Sequence, residues 1–303
     1  MKISLIGLSG CGKTSLYSVI FAEKTPEETK GLSPTILYET RRHPFLGLEI
    51  SIFDFGGQDQ YIKEYLDKPK IFMGTDVLVP VVDLHDPNSF DKSKKYFEDV
   101  LKLYKDNYQK PKVCLFYHKY DTEDYQKELL DTNIIKAKEF FSDMFKDYNP
   151  QTFLTSIYDQ QNLTKIFRDI LMGSYSELKG HIEKAEKHLQ EINARIIISD
   201  ISGNVLVHNV QGVSSGLSLR ADLRDFISSC NVIRENVFLS DSAEFKGNSE
   251  EGKELQLYIF KYILAVLIMK SEKKLDPESS EKIRVLLEDM KLFSDIIVSI
   301  HSE

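Results

Sequence analysis

Only three cysteines occur in 303 residues, Cys11, Cys114 and Cys230, odd in number and widely spaced. That excludes a disulfide framework and a paired-cysteine metal site, and a reducing cytoplasmic setting is expected. Basic charge is also in deficit: 39 Lys and Arg against 47 Asp and Glu leave a formal charge of −8. Such a balance repels a phosphate backbone, and no concentrated basic face offsets it, so no nucleic-acid partner is expected. Long apolar runs are missing too. The longest, Tyr258 to Met269, is broken by Lys261 and falls short of the roughly 20 residues that span a bilayer, so it reads as core strands. The opening Met1-Lys2-Ile3-Ser4-Leu5 reads as a strand, without the basic start and cleavage site of a signal peptide. Lys2 stands where myristoylation needs glycine, and Ile300-His301-Ser302-Glu303 lacks a prenylation cysteine. Membrane attachment is therefore expected only indirectly, through partner proteins that recruit the chain.

What is present is globular: 42% hydrophobic and 28% charged residues, in a length that favours two domains. Short β-branched runs, Ile3–Ile6, Glu49–Asp54, Val77–Asp83, Val113–Tyr117 and Thr152–Thr155, alternate with helical patterns through the first half. This alternation predicts an α/β domain over residues 1–175, a mostly parallel sheet with helices on both faces. Leu37 to Asp54 holds two strand-like stretches without a helix between them, so one edge strand is expected to run antiparallel. Pro80 removes a ladder donor inside a central strand and predicts a bulge.

Residues 176–303 read as a second, smaller α/β domain with one sheet. Leu178, Ile182, Ala185, Leu189 and Ile192 form one stripe of an amphipathic helix. A hairpin of Arg195–Asp200 and Asn204–His208 follows, then a helix over Leu219–Val232, two strands within Glu254–Met269 and a last helix over Pro277–Ile300. His181 and His188, seven apart, read as a solvated or packed pair.

Chemistry concentrates in the first domain. Gly7-Leu8-Ser9-Gly10-Cys11-Gly12-Lys13-Thr14 has the phosphate-loop spacing, after a strand and before a helix. Glycines there let backbone N–H groups of Ser9 through Ser15 wrap a β-phosphate at a helix N-terminus. Lys13 would contact the β- and γ-phosphates and Thr14 would ligate Mg²⁺. Cys11 is expected to pack beneath the loop. Asp54-Phe55-Gly56-Gly57-Gln58 resembles the DxxGQ switch of small GTPases. Asp54 would hold Mg²⁺, the Gly57 N–H would sense the γ-phosphate, and Gln58 would orient the attacking water. Thr35, after Pro34, is the candidate first-switch ligand, reaching Mg²⁺ only with a γ-phosphate present. His118-Lys119-Tyr120-Asp121 follows a strand where GTPases carry the guanine-reading NKxD. A carboxylate accepts from guanine N1–H and N2–H₂, a donor pair adenine lacks. Asp121 would select the base, the Lys119 stem would cover it, and the Thr155-Ser156 end of the sixth strand would supply an N–H.

Taken together, Ser9-Gly10-Cys11-Gly12-Lys13-Thr14-Ser15, Phe21-Ala22, Gly56-Gly57-Gln58-Asp59, His118-Lys119-Tyr120-Asp121 and Thr155-Ser156-Ile157 resemble the Rag GTPases, Ras-related regulators of amino-acid signalling. In that family His is usual at the position of His118, and Ile157 joins Ser156 in the last nucleotide motif. Gly56 to Asp59 is similar to the A/B subclass; Thr155 to Asp159 and Thr25 to Thr29 are similar to C/D. The resemblance implies GTP/GDP and Mg²⁺ as ligands and a roadblock or longin-like C-terminal domain. It also implies a homodimer or a heterodimer with a related chain, and separate GTPase-activating and exchange proteins. The expected function is a slow GTP-hydrolysing switch in nutrient signalling. Rival readings are another phosphate-loop enzyme, opposed by Asp121, and a non-hydrolysing scaffold, opposed by Lys13, Thr14, Asp54 and Gln58.

Overall fold

The computed structural model describes residues 1–22, 24–122, 125–173, 176–210, 242–248, 254–261, 264–269 and 276–302. Their contacts divide into two units, Met1–His43 with Glu49–Ile166, and Pro44–Leu48 with Phe167–Glu303.

The first unit is built on a six-stranded sheet of order β2-β3-β1-β4-β5-β6. The strands are β1 (Lys2–Ile6), β2 (Tyr38–Phe45), β3 (Leu48–Phe55), β4 (Val77–Asp83), β5 (Lys112–His118) and β6 (Gln151–Thr155). From β3 through β6 the neighbours are parallel. They are joined through α1 (Lys13–Ile20), α2 (Asp59–Asp67), α3 (Phe90–Asp106) and α4 (Lys127–Phe141), with α5 (Gln160–Met172) after β6. β2 and β3 are linked only by Leu46-Gly47, both at positive φ (49° and 76°). A two-residue connection of that hand joins only antiparallel neighbours, so β2 is the antiparallel edge strand.

Strands buried on both faces need continuous apolar sequence. β4, Val-Leu-Val-Pro-Val-Val-Asp, meets that need, with every residue from Val77 to Val82 buried. The expected bulge at Pro80 does not form. Ile6 pairs with Pro80, and the β4–β5 offset is the same before and after it, Leu78 with Val113 and Val81 with Phe116. A residue in a parallel sheet bonds to one neighbour at a time, so the missing donor interrupts a ladder locally without shifting register. α3 lays Phe90, Phe97, Val100, Leu101 and Tyr104 into the core at three- and four-residue spacing. Each such buried side chain contributes roughly 1.5 to 3 kcal/mol.

The order of strands matters for the site. β1 lies between β3 and β4, so chain connections leave it in opposite directions. The carboxyl ends of β1, β3, β4, β5 and β6 open onto one crevice, the switch-point position where α/β sheets bind ligands.

Among the described residues the second unit carries a five-stranded antiparallel sheet of order β8-β7-β11-β10-β9. Its strands are β7 (Arg195–Asp200), β8 (Val205–His208), β9 (Ser242–Asn248), β10 (Glu254–Phe260) and β11 (Leu264–Met269). Among the described residues its helices are α6 (Ser176–Gln190) and α7 (Pro277–Ser302). Every member of the Leu178 to Ile192 stripe is buried, as amphipathic spacing requires. Asp276 caps α7: its carboxylate accepts from the Ser279 N–H at 2.7 Å, with Pro277 as first helical residue. Strand β9, Ser-Ala-Glu-Phe-Lys-Gly-Asn, has no alternating apolar pattern and is not legible in the sequence. The expected helix over Leu219–Val232, and Cys230, lie outside the described residues.

The division falls after Ile166, earlier than the expected boundary at 175. Arg168 on α5, within the second unit, has a buried guanidinium that donates to Glu186 on α6 and to the Leu206 carbonyl on β8, both at 2.7 Å. The end of α5 is thereby part of the second core.

Candidate functional site

β1 ends at Ile6 and the chain turns through the glycine loop into α1. Gly12 takes φ 95°, a conformation open to glycine, and aims the first helical N–H groups into the loop. Inside the loop the Lys13 side chain is buried. Its ammonium donates to the Gly7 and Leu8 carbonyls at 2.9 Å each and approaches Cys11 Sγ at 3.5 Å. All three partners are neutral, which leaves a cation beside the helix N-terminus, the electrostatics of an anion site. Cys11 is buried and its thiol is pushed up by that burial, so it packs beneath the loop, as the sequence suggests.

Beside Lys13 three oxygen-bearing side chains converge. Thr14 Oγ1 donates to Asp54 Oδ2 at 2.6 Å, Thr35 Oγ1 lies 2.9 Å from Thr14 Oγ1, and Thr35 reaches Asp54 Oδ2 at 3.3 Å. Burial pushes the Asp54 carboxyl up, with the Thr14 bond and the Lys13 charge opposing it. Its second oxygen, Oδ1, is buried with no hydrogen-bond partner. One orphaned carboxylate oxygen beside two hydroxyls is a hard-oxygen set suited to Mg²⁺, an ion that takes one or two protein ligands and completes its shell with water and phosphate. Among the described residues no group of three or more His, Cys, Asp and Glu offers a self-sufficient metal site. The three sequence-named metal residues therefore do meet.

Ser9, Gly10, Gly12, Lys13, Thr14, Ser15 and Thr35 line one cavity of about 220 Å³ together with Gly56 and Gly57. Gln58 is not part of it. It lines a neighbouring cavity of about 440 Å³ with Leu8, Cys11, Asp59 and Asp83, and its amide oxygen accepts from Gln60 at 3.3 Å. Between the two lies Gly57, whose carbonyl accepts the Ser9 N–H at 2.9 Å. In this arrangement Gly57 presents its carbonyl to the loop, whereas the resemblance to the DxxGQ switch points its N–H at a phosphate.

The base-reading residues occupy the ends of β5 and β6. His118 is fully buried, its Nδ1 hydrogen-bonded to Thr155 Oγ1 at 2.9 Å. The other edge of the ring lies under the phosphate loop: a Cβ on Gly12 would sit 2.6 Å from His118 Cδ2. Burial first, and the Lys119 charge second, hold the imidazole down to about 3, so it is neutral. A flat neutral ring thus spans from β6 to the phosphate loop. Lys119 adopts φ 63° and its ammonium pairs with Asp83 Oδ2 at 2.5 Å. Ser156 Oγ donates to Asp121 Oδ2 at 2.7 Å, which orients the carboxylate. Ile157 follows, half-buried.

Two residues of this site escape sequence reading. Asp83 ends β4 at the same sheet edge as Asp54 and His118, and that shared strand-end position was the available signal. Tyr65 on α2 hydrogen-bonds to the Leu37 and Gly56 carbonyls, and no motif points to it. His181 and His188 do not act as a pair: His181 Nδ1 lies 3.3 Å from Asp289 Oδ1, while His188 is partly buried on its own.

Residues 2–210 match the Gtr1/RagA G protein conserved region. The GTP-binding protein GTR1 of Saccharomyces cerevisiae is 31% identical over 202 residues, 65% of this chain and 64% of that one. The Ras-related GTP-binding protein A of Dictyostelium discoideum is 26% identical over 245 residues, 78% and 80% of the two chains. The human Ras-related GTP-binding protein C is 30% identical over 162 residues, 52% of this chain and 40% of that one. A conserved region that runs from the first strand through both nucleotide motifs and on into β7 and β8 shows that the chain belongs to the Gtr1/RagA family of G proteins and is a GTPase.

Proposed function

We propose that this GTPase is a slow GTP/GDP switch whose output is read by partner proteins, in nutrient or amino-acid signalling of the Rag type. The observation that carries the reading is the meeting of Thr14, Thr35 and Asp54 beside the buried ammonium of Lys13. Thr35 comes from a segment outside the helices and strands, so a ligand that recruits its hydroxyl to a cation changes the shape of that segment, which is what a switch requires. Mg²⁺ bound by Thr14, Thr35 and Asp54 would neutralise charge on the β- and γ-phosphates. Lys13 and the loop N–H groups bind the phosphates; Asp121, held by Ser156, reads guanine; His118 braces the loop from below.

Slow intrinsic hydrolysis is supported by the lack of any arginine between Phe21 and Pro34 to serve as a built-in finger, and by the place of Gln58. Its side chain lies across Gly57 from the phosphate cavity and must swing to orient water. A separate activating protein would supply that rearrangement. The antiparallel unit resembles roadblock-like dimerisation domains, and among the described residues β8 and β9 are its outermost strands, the place where a partner of the same fold would add to the sheet. Similarity to relatives named A and C supports pairing with a related chain, with a self-dimer as the alternative. A cytoplasmic setting with recruitment to a membrane surface by partners completes the reading; no helix among the described residues is long and apolar enough to cross a membrane.

Native mass spectrometry of the purified chain tests this. GDP or GTP with Mg²⁺ on a dimer is expected, while bound ATP would overturn the base assignment. Single-turnover GTP hydrolysis separates the switch from a non-hydrolysing scaffold.

A further inference from the structure

We propose that Tyr65 is a positioning residue, a latch whose hydroxyl ties α2 to the segment around Leu37 and so holds Thr35 over Asp54. The inference rests on the switch reading above.

Tyr65 lies two helical turns beyond Gln58 on the face of α2 that packs inward. Its ring is buried, edge-on to Phe55 with centroids 5.2 Å apart, and Phe55 stacks on Phe72 at 4.7 Å. That packing fixes where the hydroxyl points. It donates to the Leu37 carbonyl and lies 3.1 Å from the Gly56 carbonyl. Burial pushes the phenol well above its ordinary range, so it stays a donor at any working pH.

Leu37 is an unusual place for a hydrogen-bond anchor. Its φ is 54°, the left-handed region, where Cβ crowds the following carbonyl oxygen and which residues other than glycine seldom adopt. Such a conformation persists only where its surroundings over-determine it. Here two donors converge on one oxygen: the Gly56 N–H at 2.6 Å and the Tyr65 hydroxyl. The neighbouring backbone is pressed to the same point, since a Cβ on Gly56 would lie 2.4 Å from the Thr35 carbonyl oxygen and 2.6 Å from that of Leu37. Two residues before Leu37, the Thr35 side chain meets Thr14 and Asp54.

A single chain of contacts therefore runs from α2 to the cation site: Tyr65 to Leu37, Leu37 to Thr35 through two peptide units, and Thr35 to Asp54. α2 begins directly after Gln58. A displacement of this helix, as in bringing Gln58 to the phosphate cavity, pulls the hydroxyl from Leu37 and frees the strained residue to relax. The two switch segments thus move as a coupled pair, and the coupling passes through one proton.

The test uses the full chain with Tyr65→Phe, which keeps the ring packing and deletes only the donor, alongside Thr35→Ala and the double variant. Three quantities are read: amide hydrogen exchange of residues 33–38 without nucleotide, Mg²⁺ dependence of GTP binding, and GDP affinity. Tyr65→Phe is expected to speed exchange in that segment and to raise the Mg²⁺ needed for half-maximal GTP binding by about two- to tenfold, the size of one hydrogen bond. GDP affinity should stay within about twofold. The double variant should be no worse than Thr35→Ala alone, because the latch acts through Thr35. Equal weakening of GDP and GTP, or additive effects in the double variant, would overturn the latch and leave Tyr65 a packing residue. If the parent binds no guanine nucleotide, the switch reading fails while the exchange measurement still decides the latch: unchanged exchange at 33–38 defeats it.

Discussion

His118 Nδ1 and Thr155 Oγ1 lie 2.9 Å apart, so the last residue of β5 is fastened to the last residue of β6 directly beneath the phosphate loop. The bond explains how an imidazole can stand where other GTPases place an amide: one ring nitrogen is satisfied within the sheet and the opposite edge faces Gly12.

The buried imidazole makes a pH prediction. Its folded value near 3 lies below the ordinary value of 6.5, so as pH falls the unfolded chain takes up the proton first. Stability contributed by the neutral ring is present above about 6.5 and is lost progressively toward 3. His118→Asn removes this titration. Between pH 7.5 and 5.5 the parent is expected to lose on the order of 1 kcal/mol more than the variant in urea unfolding without nucleotide. Parallel pH profiles would show that His118 is not protected as the geometry requires.

Base choice should turn on Asp121. Asp121→Asn replaces an acceptor oxygen by a donor and is expected to weaken GDP by roughly 1 to 3 kcal/mol while improving xanthosine diphosphate. Titration calorimetry with both nucleotides reads this directly, and an unchanged GDP affinity would remove Asp121 from the base site.

Gln58→Leu should leave nucleotide binding close to the parent, because the side chain lies outside the phosphate cavity. Hydrolysis, on the order of 10⁻⁴ to 10⁻² per second in the parent, should become undetectable. Single-turnover phosphate release gives the answer; equal rates would assign water orientation to another group.

Gly57→Ala tests the contact between the switch and the loop. A Cβ there would lie 2.1 Å from the Leu8 carbonyl carbon and 2.2 Å from the Ser9 nitrogen, too close for any side chain. The switch must lift, and the Ser9 N–H loses the Gly57 carbonyl. Amide exchange at Ser9 in the nucleotide-free protein is expected to accelerate; a protected Ser9 would mean that the loop is closed by other contacts.

Sequence alone determined the parts of this protein whose information is local. The phosphate loop is legible because eight consecutive residues, Gly7 to Thr14, carry both its shape and its charge. The parallel strands are legible because burial on both faces demands unbroken apolar runs, and the Leu178 stripe because a helix repeats its face every three to four residues. Asp54, Gln58 and Asp121 follow from fixed spacing to strand ends.

Only the tertiary structure decided relationships between distant segments. Pro80 suggests a bulge, yet whether a missing donor matters depends on which neighbour it would have faced, and that is a property of the assembled sheet. β9 is placed by its pairing with β10, which backbone bonds alone can supply, so its own residues need little apolar pattern. Arg168 finds its partners on α6 and β8, which no local pattern announces. Gln58 and Thr35, each assigned to the phosphate site from its own motif, line different cavities because the Gly57 backbone lies between them. Tyr65 reaches Leu37 across 28 residues of chain, and the Asp83–Lys119 pair spans 36; a contact of that kind leaves no periodic trace in sequence, since it exists only once folding has brought the two elements to the same point in space.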